Sequence, residues 1–548
     1  MAATKSATVV EVTDSYIATL NPNNLPADDA MEADLLAQTC AVFEIENTTR
    51  TSGTKWKIPD ALFPYQIMML MFVRYHIANV AFAGLAKAAR QDVLCIYKES
   101  GDSKGIYVED ERFLIKAIQQ FNANLKMHEI RDIIELIRAR APRVVLCQNA
   151  NLVPLNNGIF DYRTKTLMQF SPDYVFTAKA AVNYNPLAVN VQIREPNGEV
   201  WNVEGWMKSL SDDPEIVELF WQIIGAALRS RNNWGKAILF QSSTGNNGKG
   251  TLCSLIKSIV GEGAWASIPV SRFADEFALT DITHVNVVIG DENDVGTFID
   301  RAGNFKAMVS GDSLFVNRKN QNPITVTFHG LIVECFNDTP RVRDRTDSFA
   351  RRLLVVPFER CFTGMERKYI KDDYLRRKDV LEYVVHKVLN MNYDEFIVPQ
   401  KCKVALEKWS LANDPVRQFL DDVLPRVTWR LLPGDFLYDL YRGWFKKNQP
   451  SGSVLGKNQF LNDCRERMTS YPEWSLYKKT RSDCRMDFAE PLICEFNLTE
   501  WMNPNYGGSD ASKRCVPELK ESYYGFEYIG AGGVAGNDDD DENKDGEE

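Results

Sequence analysis

The segment AILFQSSTGNNGKGTLCSLIKSIV (237–260) constrains the fold of this chain more than any other. An apolar run, Ala237 to Phe240, enters a loop of small and polar residues, and a helical pattern follows as far as Val260. A buried strand turning through glycines into a helix is the framework of a phosphate-binding loop. There, successive backbone N–H groups at the helix N-terminus converge on an anion and a lysine adds a point charge. The usual spacing is G-x-x-x-x-G-K-[ST]. Gly248 and Lys249 keep it, whereas Ser243 replaces the opening glycine, Gly250 replaces the hydroxyl residue, and Thr251 stands one place late. Gly245 and Gly248 keep the backbone freedom such a loop uses, and Asn247 tolerates left-handed geometry better than most residues. The expected nucleotide-binding residues are therefore Ser243, Thr244, Gly245, Asn246, Asn247, Gly248, Lys249, Gly250 and Thr251. Thr251 lies roughly 100° further round the helix than the usual hydroxyl. Either the loop shifts by one residue to let Thr251 reach Mg²⁺, or water replaces the hydroxyl.

Around this segment, residues 214–365 alternate helix and strand. A helix over 214–230 leads to a strand at 237–241, and further strands are predicted at VNVVI (285–289) and LIVECF (331–336). The rhythm is that of a parallel sheet between helices, so the fold class is α/β. The second strand ends in Asp291-Glu292. One carboxylate at that edge can hold Mg²⁺, and the next can orient or deprotonate an attacking water. The third strand ends in Asn337, an amide placed either to contact a γ-phosphate or to cap a turn. Arg351 and Arg352 follow, either as fingers on a neighbour's nucleotide or as surface ion-pair partners. Lys249, Asp291, Glu292 and Asn337 fall in order within 89 residues.

With 548 residues the chain is too long for one core. Its formal charge of −10 speaks against a nucleic-acid binder only until it is located, because Asp538–Glu548 holds eight acids and one lysine. The remainder is close to neutral, so local patches decide. Eleven scattered cysteines with no CxxC argue against a zinc site or a disulfide framework and suit a reducing cytoplasm. No signal peptide and no membrane partner are expected, since the most apolar window, 61–86, carries Arg74 and His76 in its middle. The expected organisation is a loose arm (1–55), a mainly helical domain (56–145) with a hairpin over 93–108, and a strand-and-turn segment (146–213). The α/β core (214–365) and a helical connector (366–410) follow. A small basic unit (411–490) and a glycine-containing acidic tail (491–548), largely disordered, complete the chain.

The order and compact spacing of these motifs resemble superfamily 3 helicases, AAA+ enzymes of small viruses, phages and plasmids. The loop TGNNGKGTL is similar to that of the phage and plasmid primase-helicase branch, related to the poxvirus primase-helicase, where glycine after the lysine is an accepted variant. LVPLNNGIFDYRTKTLMQFSPDYVFTAKAAVNYNP (152–186) looks like the segment before the ATPase in that branch, and FKAMVSGDSLFVNRKNQNPITVTFHG (305–330) like the element between its second and third motifs. The latter reads as a β-hairpin with Arg318 and Lys319 at its tip. In a ring such tips would grip the backbone of one DNA strand, which gives sequence-independent, salt-sensitive binding. Lys306 matches the same element, with a surface lysine on a helix as the rival reading.

The resemblance implies an AAA+ P-loop core that binds ATP and Mg²⁺. It also implies a homo-oligomeric ring, expected to be hexameric, with nucleotide between subunits, and 3′-to-5′ travel on single-stranded or forked DNA in the cytoplasm of a prokaryotic host. From Arg426 to Arg485, twelve Lys/Arg stand against six Asp/Glu, and two helices with a basic hairpin at 475–486 suggest a winged helix for duplex DNA. The rival there is a protein-docking module. No D-x-D on a strand offers a priming site, so a helicase without a primase is expected, working beside a separate primase or replication initiator. The alternatives are an ATP-switched origin-binding or packaging protein, a kinase using the same loop, and a scaffold that has lost magnesium.

Overall fold

The computed structural model describes residues 4–82, 92–275, 277–294, 298–299, 302–319, 322–338, 340–342, 347–365, 367–448 and 454–530. The chain is a mixed α/β protein that divides into two compact units, 1–406 and 407–548.

The first unit is organised around a five-stranded, all-parallel sheet. Its strands are β1 (Ala237–Gln241), β2 (Trp265–Ala266), β3 (Val287–Gly290), β4 (Leu331–Phe336) and β5 (Leu353–Pro357). Their spatial order is β2-β3-β4-β1-β5. All six residues of β4 are buried, as expected for a central strand covered on both faces. Two helices pack with it, α1 (Pro214–Leu228) and α2 (Lys249–Val260). Phe220 and Ile223 of α1 and Leu252 and Ile256 of α2 share one core with Ile238, Ile289, Val333 and Val356. Parallel strands bring all their carboxyl ends to one edge. The chain leaves β1 toward β2 on one side and returns to β5 on the other, so the crevice beyond β1 is where ligands bind in such sheets.

Before this core, helices at Glu111–Phe121 and Met127–Arg140 pack with a four-stranded sheet whose Val93–Tyr97 and Tyr107–Val108 form the expected antiparallel pair. The expectation of a loose arm over 1–55 is corrected. Lys5–Thr19 and Asp28–Thr48 are helices, and Met31, Leu35 and Tyr16 are buried in the same core as Ile67 and Ile118. The buried stripe Met31, Leu35, Thr39, Phe43 repeats every fourth residue, but it is one residue wide and includes a threonine. Only its partner surface makes it legible.

In the second unit, helices Pro415–Val423, Gly434–Asn448 and Lys457–Met468 enclose Phe419, Trp429, Tyr441, Trp444 and Phe460. A three-stranded antiparallel sheet of Leu431–Pro433, Ser522–Glu527 and Lys478–Arg481 closes this core. Two expectations are corrected here. The basic strand does not fold back on itself within 475–486, because its partner is Ser522–Glu527. The segment after 490 is ordered through residue 530, because SYYGFE supplies the middle strand. The acidic run 538–548 lies outside the described residues. Among the described residues, no helix is long and apolar enough to cross a membrane.

Candidate functional site

The loop after β1 turns through two left-handed residues, Asn246 (φ 51°) and Gly248 (φ 90°), before α2 begins at Lys249. A side chain at 248 would be strained, and its Cβ would also stand 2.6 Å from Leu210 Cδ2. Asn247 is buried and locks the turn, donating to the Thr244 carbonyl and accepting the Lys249 N–H at 3.3 Å. Ser243, Thr244, Gly245 and Asn246 are exposed, and a Cβ added at Gly245 or Gly250 would meet only open space. Ser243, in place of the opening glycine, points no bulk into the core, being exposed.

Lys249 is only 5% exposed, and its Nζ donates to Asn337 Oδ1 at 3.0 Å. Among the described residues no carboxylate pairs with it, and burial lowers its pKa from the ordinary lysine value. A buried ammonium with one neutral partner lacks the counter-charge that normally offsets its desolvation. An anion at the loop would supply it. The fold thus brings together the loop lysine and the amide 88 residues away, from the ends of the adjacent strands β1 and β4.

Asp291 leaves the end of β3 at the same edge. Its Oδ2 pairs with Lys257 Nζ of α2, whose ammonium also lies 4.2 Å from the Trp265 ring centroid. Its Oδ1 is shielded from solvent and has no partner. Glu292 is exposed beside it. Among the described residues no cluster of three His, Cys, Asp or Glu side chains could hold a metal. The orphaned Asp291 oxygen is the donor at this edge that would suit a divalent cation. Thr251 is about 200° from Lys249 round the helix, and it lies on the wall of a cavity beside the loop. Gly250 shares a stripe with Lys257, two turns on, about 20° apart.

The two arginines separate. Arg352 is tied into its own chain, its Nε donating to Ser310 Oγ at 2.9 Å and its guanidinium to Ser348 Oγ at 2.8 Å. Arg351 is exposed. The predicted hairpin forms from Ser313–Val316 and Ile324–Thr327, with Leu314, Val316, Ile324 and Val326 buried. Lys319 is exposed at its turn, but Arg318 is paired with Glu109 of the N-terminal region and is largely covered. Lys306 is half-buried on the preceding helix, Gly303–Ser310.

Three family models match the chain. Residues 52–226 match "D5 N terminal like", 411–501 match "Poxvirus D5 protein-like", and 240–352 match a family of unknown function, DUF5906. The chain carries D5-like domains. Its relatives include "Putative helicase 121R" of Invertebrate iridescent virus 3, 21% identical over 59% of this chain and 38% of that protein. "Putative helicase 022R" of Frog virus 3 is 25% identical over 40% of this chain and 26% of that protein. "Putative helicase L207/L206" of Acanthamoeba polyphaga mimivirus is 21% identical over 68% of this chain and 41% of that protein. The chain thus spans less than half the length of these relatives. The A form apo structure of the NrS-1 C terminal region covers 85% of this chain and 100% of that one at 14% identity, with a TM-score of 0.42.

The site contains residues that motif reading missed. Glu334, in the middle of β4, has no exposed surface, and burial pushes its carboxyl up to about 8. Asn293 Nδ2 donates to Glu334 Oε2 at 2.8 Å, and Asn293 Oδ1 accepts the Val270 N–H at 3.0 Å. These bonds pin the loop that carries Asp291 and Glu292. The signal was present as a lone acid in the otherwise apolar run LIVECF, and as the asparagine of DEND. The cavity beside Thr251 also draws Trp201 and Leu210 from the segment before the core and Phe362 from beyond β5, which no local pattern joins.

Proposed function

We propose that this chain is an ATP-driven DNA helicase subunit with an AAA+ core. The observation that carries the reading is Lys249, buried without a counter-charge and held by Asn337 at the carboxyl edge of a parallel sheet. The loop N–H groups and Lys249 bind the β- and γ-phosphates. Asn337 fixes the lysine and reaches toward the terminal phosphate. Glu292 accepts the proton of the attacking water, and Asp291 holds the cation. Mg²⁺, when bound, neutralises charge on the β- and γ-phosphate oxygens. Lys257 balances Asp291, and Thr251, on the cavity side of α2, serves the nucleotide rather than the metal.

The sheet order, with β4 between β1 and β3, supports an AAA+ assignment. So does Arg351, which is exposed while Arg352 is engaged at home, and which we assign as the finger on a neighbour's nucleotide in a closed head-to-tail ring, proposed to be a hexamer. Lys319 grips the phosphates of single-stranded DNA, with Lys306 supporting and Arg318 joining once released from Glu109. Travel is 3′-to-5′. Three helices and a three-stranded sheet support a winged helix in the second unit. Many of its basic residues are paired, Arg467 with Asp414 and Arg485 with Glu527 among them. Lys446 and Lys479 are exposed and are the ones we assign to duplex DNA.

Strand displacement on forked DNA with ATP and Mg²⁺ tests the reading. Lys249→Ala should abolish unwinding and hydrolysis. Lys319→Ala should lose unwinding and keep basal hydrolysis. Hydrolysis without displacement on either fork polarity would sink the motor and leave an ATP-operated switch.

A further inference from the structure

In the second unit, the strand Lys478–Arg481 pairs with Ser522–Glu527 in a register that sets Lys479 directly opposite Tyr524. Residues directly opposite in an antiparallel pair share a face of the sheet, and alternation along the strand brings Tyr477 to the same face. Tyr524 is 61% exposed, and Lys479 is exposed beside it. The Tyr477 ring stands at 20° to the Tyr524 ring with 6.4 Å between centroids, and the Arg465 guanidinium lies over Tyr477 at 4.3 Å. Tyr477 is held in place. It packs on Phe526, and Gly434 makes room for it, since a Cβ there would stand 2.4 Å from its Oη. Tyr524, by contrast, presents its ring to solvent.

The cations around this ring are sorted. Lys478 and Arg481 are met by Glu527 at 3.6 Å and by Asp483 at 3.5 Å. Among the described residues no acid pairs with Lys479 or Arg465, and Arg465 donates to a neutral amide, Asn462 Oδ1, at 3.3 Å. An exposed ring backed by a second ring and a guanidinium, with an unpaired ammonium opposite, complements a base plane next to a phosphate. Within a duplex each base is covered on both faces by its neighbours, so a ring on a sheet surface can stack only where pairing ends. We propose that this sheet face seats a DNA fork, with Lys479 on a backbone phosphate of the duplex and Tyr524 stacked on the first unpaired base. The proposal rests on the assignment of Lys479 to duplex DNA made above. It adds a contact that tells the end of a duplex from its interior.

Fluorescence anisotropy of the full chain on two labelled forks, without nucleotide, tests it. The forks are identical except that one carries an abasic site at the first unpaired position of each arm. The hairpin of the first unit is assigned to phosphates, which the abasic fork retains. Stacking of one base on an aromatic side chain corresponds to about fivefold or more in affinity. The wild type should therefore bind the abasic fork that much more weakly than the intact one. Tyr524→Leu should bind the intact fork as weakly as the wild type binds the abasic one, and should lose nothing further on the abasic fork. Tyr524→Phe keeps the ring and should behave as the wild type. Equal affinity of the wild type for both forks overturns the stacking contact. So does a Tyr524→Leu defect of the same size on both forks, which would mean that the ring supports the fold or seats a protein segment. Lys479→Ala should weaken both forks and a blunt duplex alike. Unchanged duplex binding in that variant overturns the assignment of Lys479, whereas a failed fork comparison with the duplex defect present overturns the Tyr524 contact alone.

Discussion

Replacing Glu334 with glutamine keeps the shape of the side chain and removes its titration. Glu334 has no exposed surface, its Oε2 accepts a 2.8 Å bond from Asn293, and its Oε1 has no partner. Burial, with the nearby Asp291 charge adding repulsion, raises its carboxyl to about 8. In the unfolded chain it titrates near the ordinary value, about 4.3. Between these limits the folded state holds a proton that the unfolded chain has released, so stability falls as pH rises. The loss is absent below about pH 4 and complete above about pH 8, and a shift of this size corresponds to at most about 5 kcal/mol. Glutamine carries no such term. The stability of Glu334→Gln relative to wild type should therefore improve by about 3.5 kcal/mol between pH 5 and pH 8. Urea unfolding at both pH values reads this gap. It should be taken from the transition that shifts in the variant, since a chain of two compact units need not unfold in one step. A gap of the same size at pH 5 and pH 8 would refute the buried proton, and with it the view that a neutral acid anchors the Asp291-Glu292 loop.

Gly248→Ala should keep the fold by circular dichroism but weaken ATP binding tenfold or more. The residue sits at φ 90° with Leu210 2.6 Å from the added carbon, a left-handed cost of about 1–2 kcal/mol placed on the loop itself. Arg351→Ala should abolish hydrolysis in the assembled protein without changing its melting temperature. Arg352→Ala should lower the melting temperature instead, through loss of the Ser310 and Ser348 bonds; the reverse pattern would exchange their roles. Glu109→Gln should free Arg318 and tighten single-stranded DNA binding, steepening its salt dependence by up to about one unit of log–log slope. An unchanged slope would place Arg318 outside the DNA path.

The sequence by itself determined the parallel α/β core, because βαβ units advertise themselves locally. Apolar runs of strand length stop at small or polar residues, and helical periodicity resumes. For the same reason the loop at 243–251, the acids at 291–292, the amide at 337 and the hairpin at 313–327 were legible, each being a short pattern with its own chemistry. What stayed hidden depends on contacts across the chain. The helix at 28–48 buries a stripe too narrow to stand out until the surface it covers is known. Ser522–Glu527 looks like a glycine-flanked tail until Leu431–Pro433 and Lys478–Arg481 take up its hydrogen bonds. Arg351 and Arg352 are equivalent as letters, and only the serines near Arg352 distinguish them. Lys257 and Glu334 acquire meaning from burial and from what does or does not answer their polar atoms. That is a property of three-dimensional neighbours separated by tens of residues, and a one-dimensional pattern cannot express it.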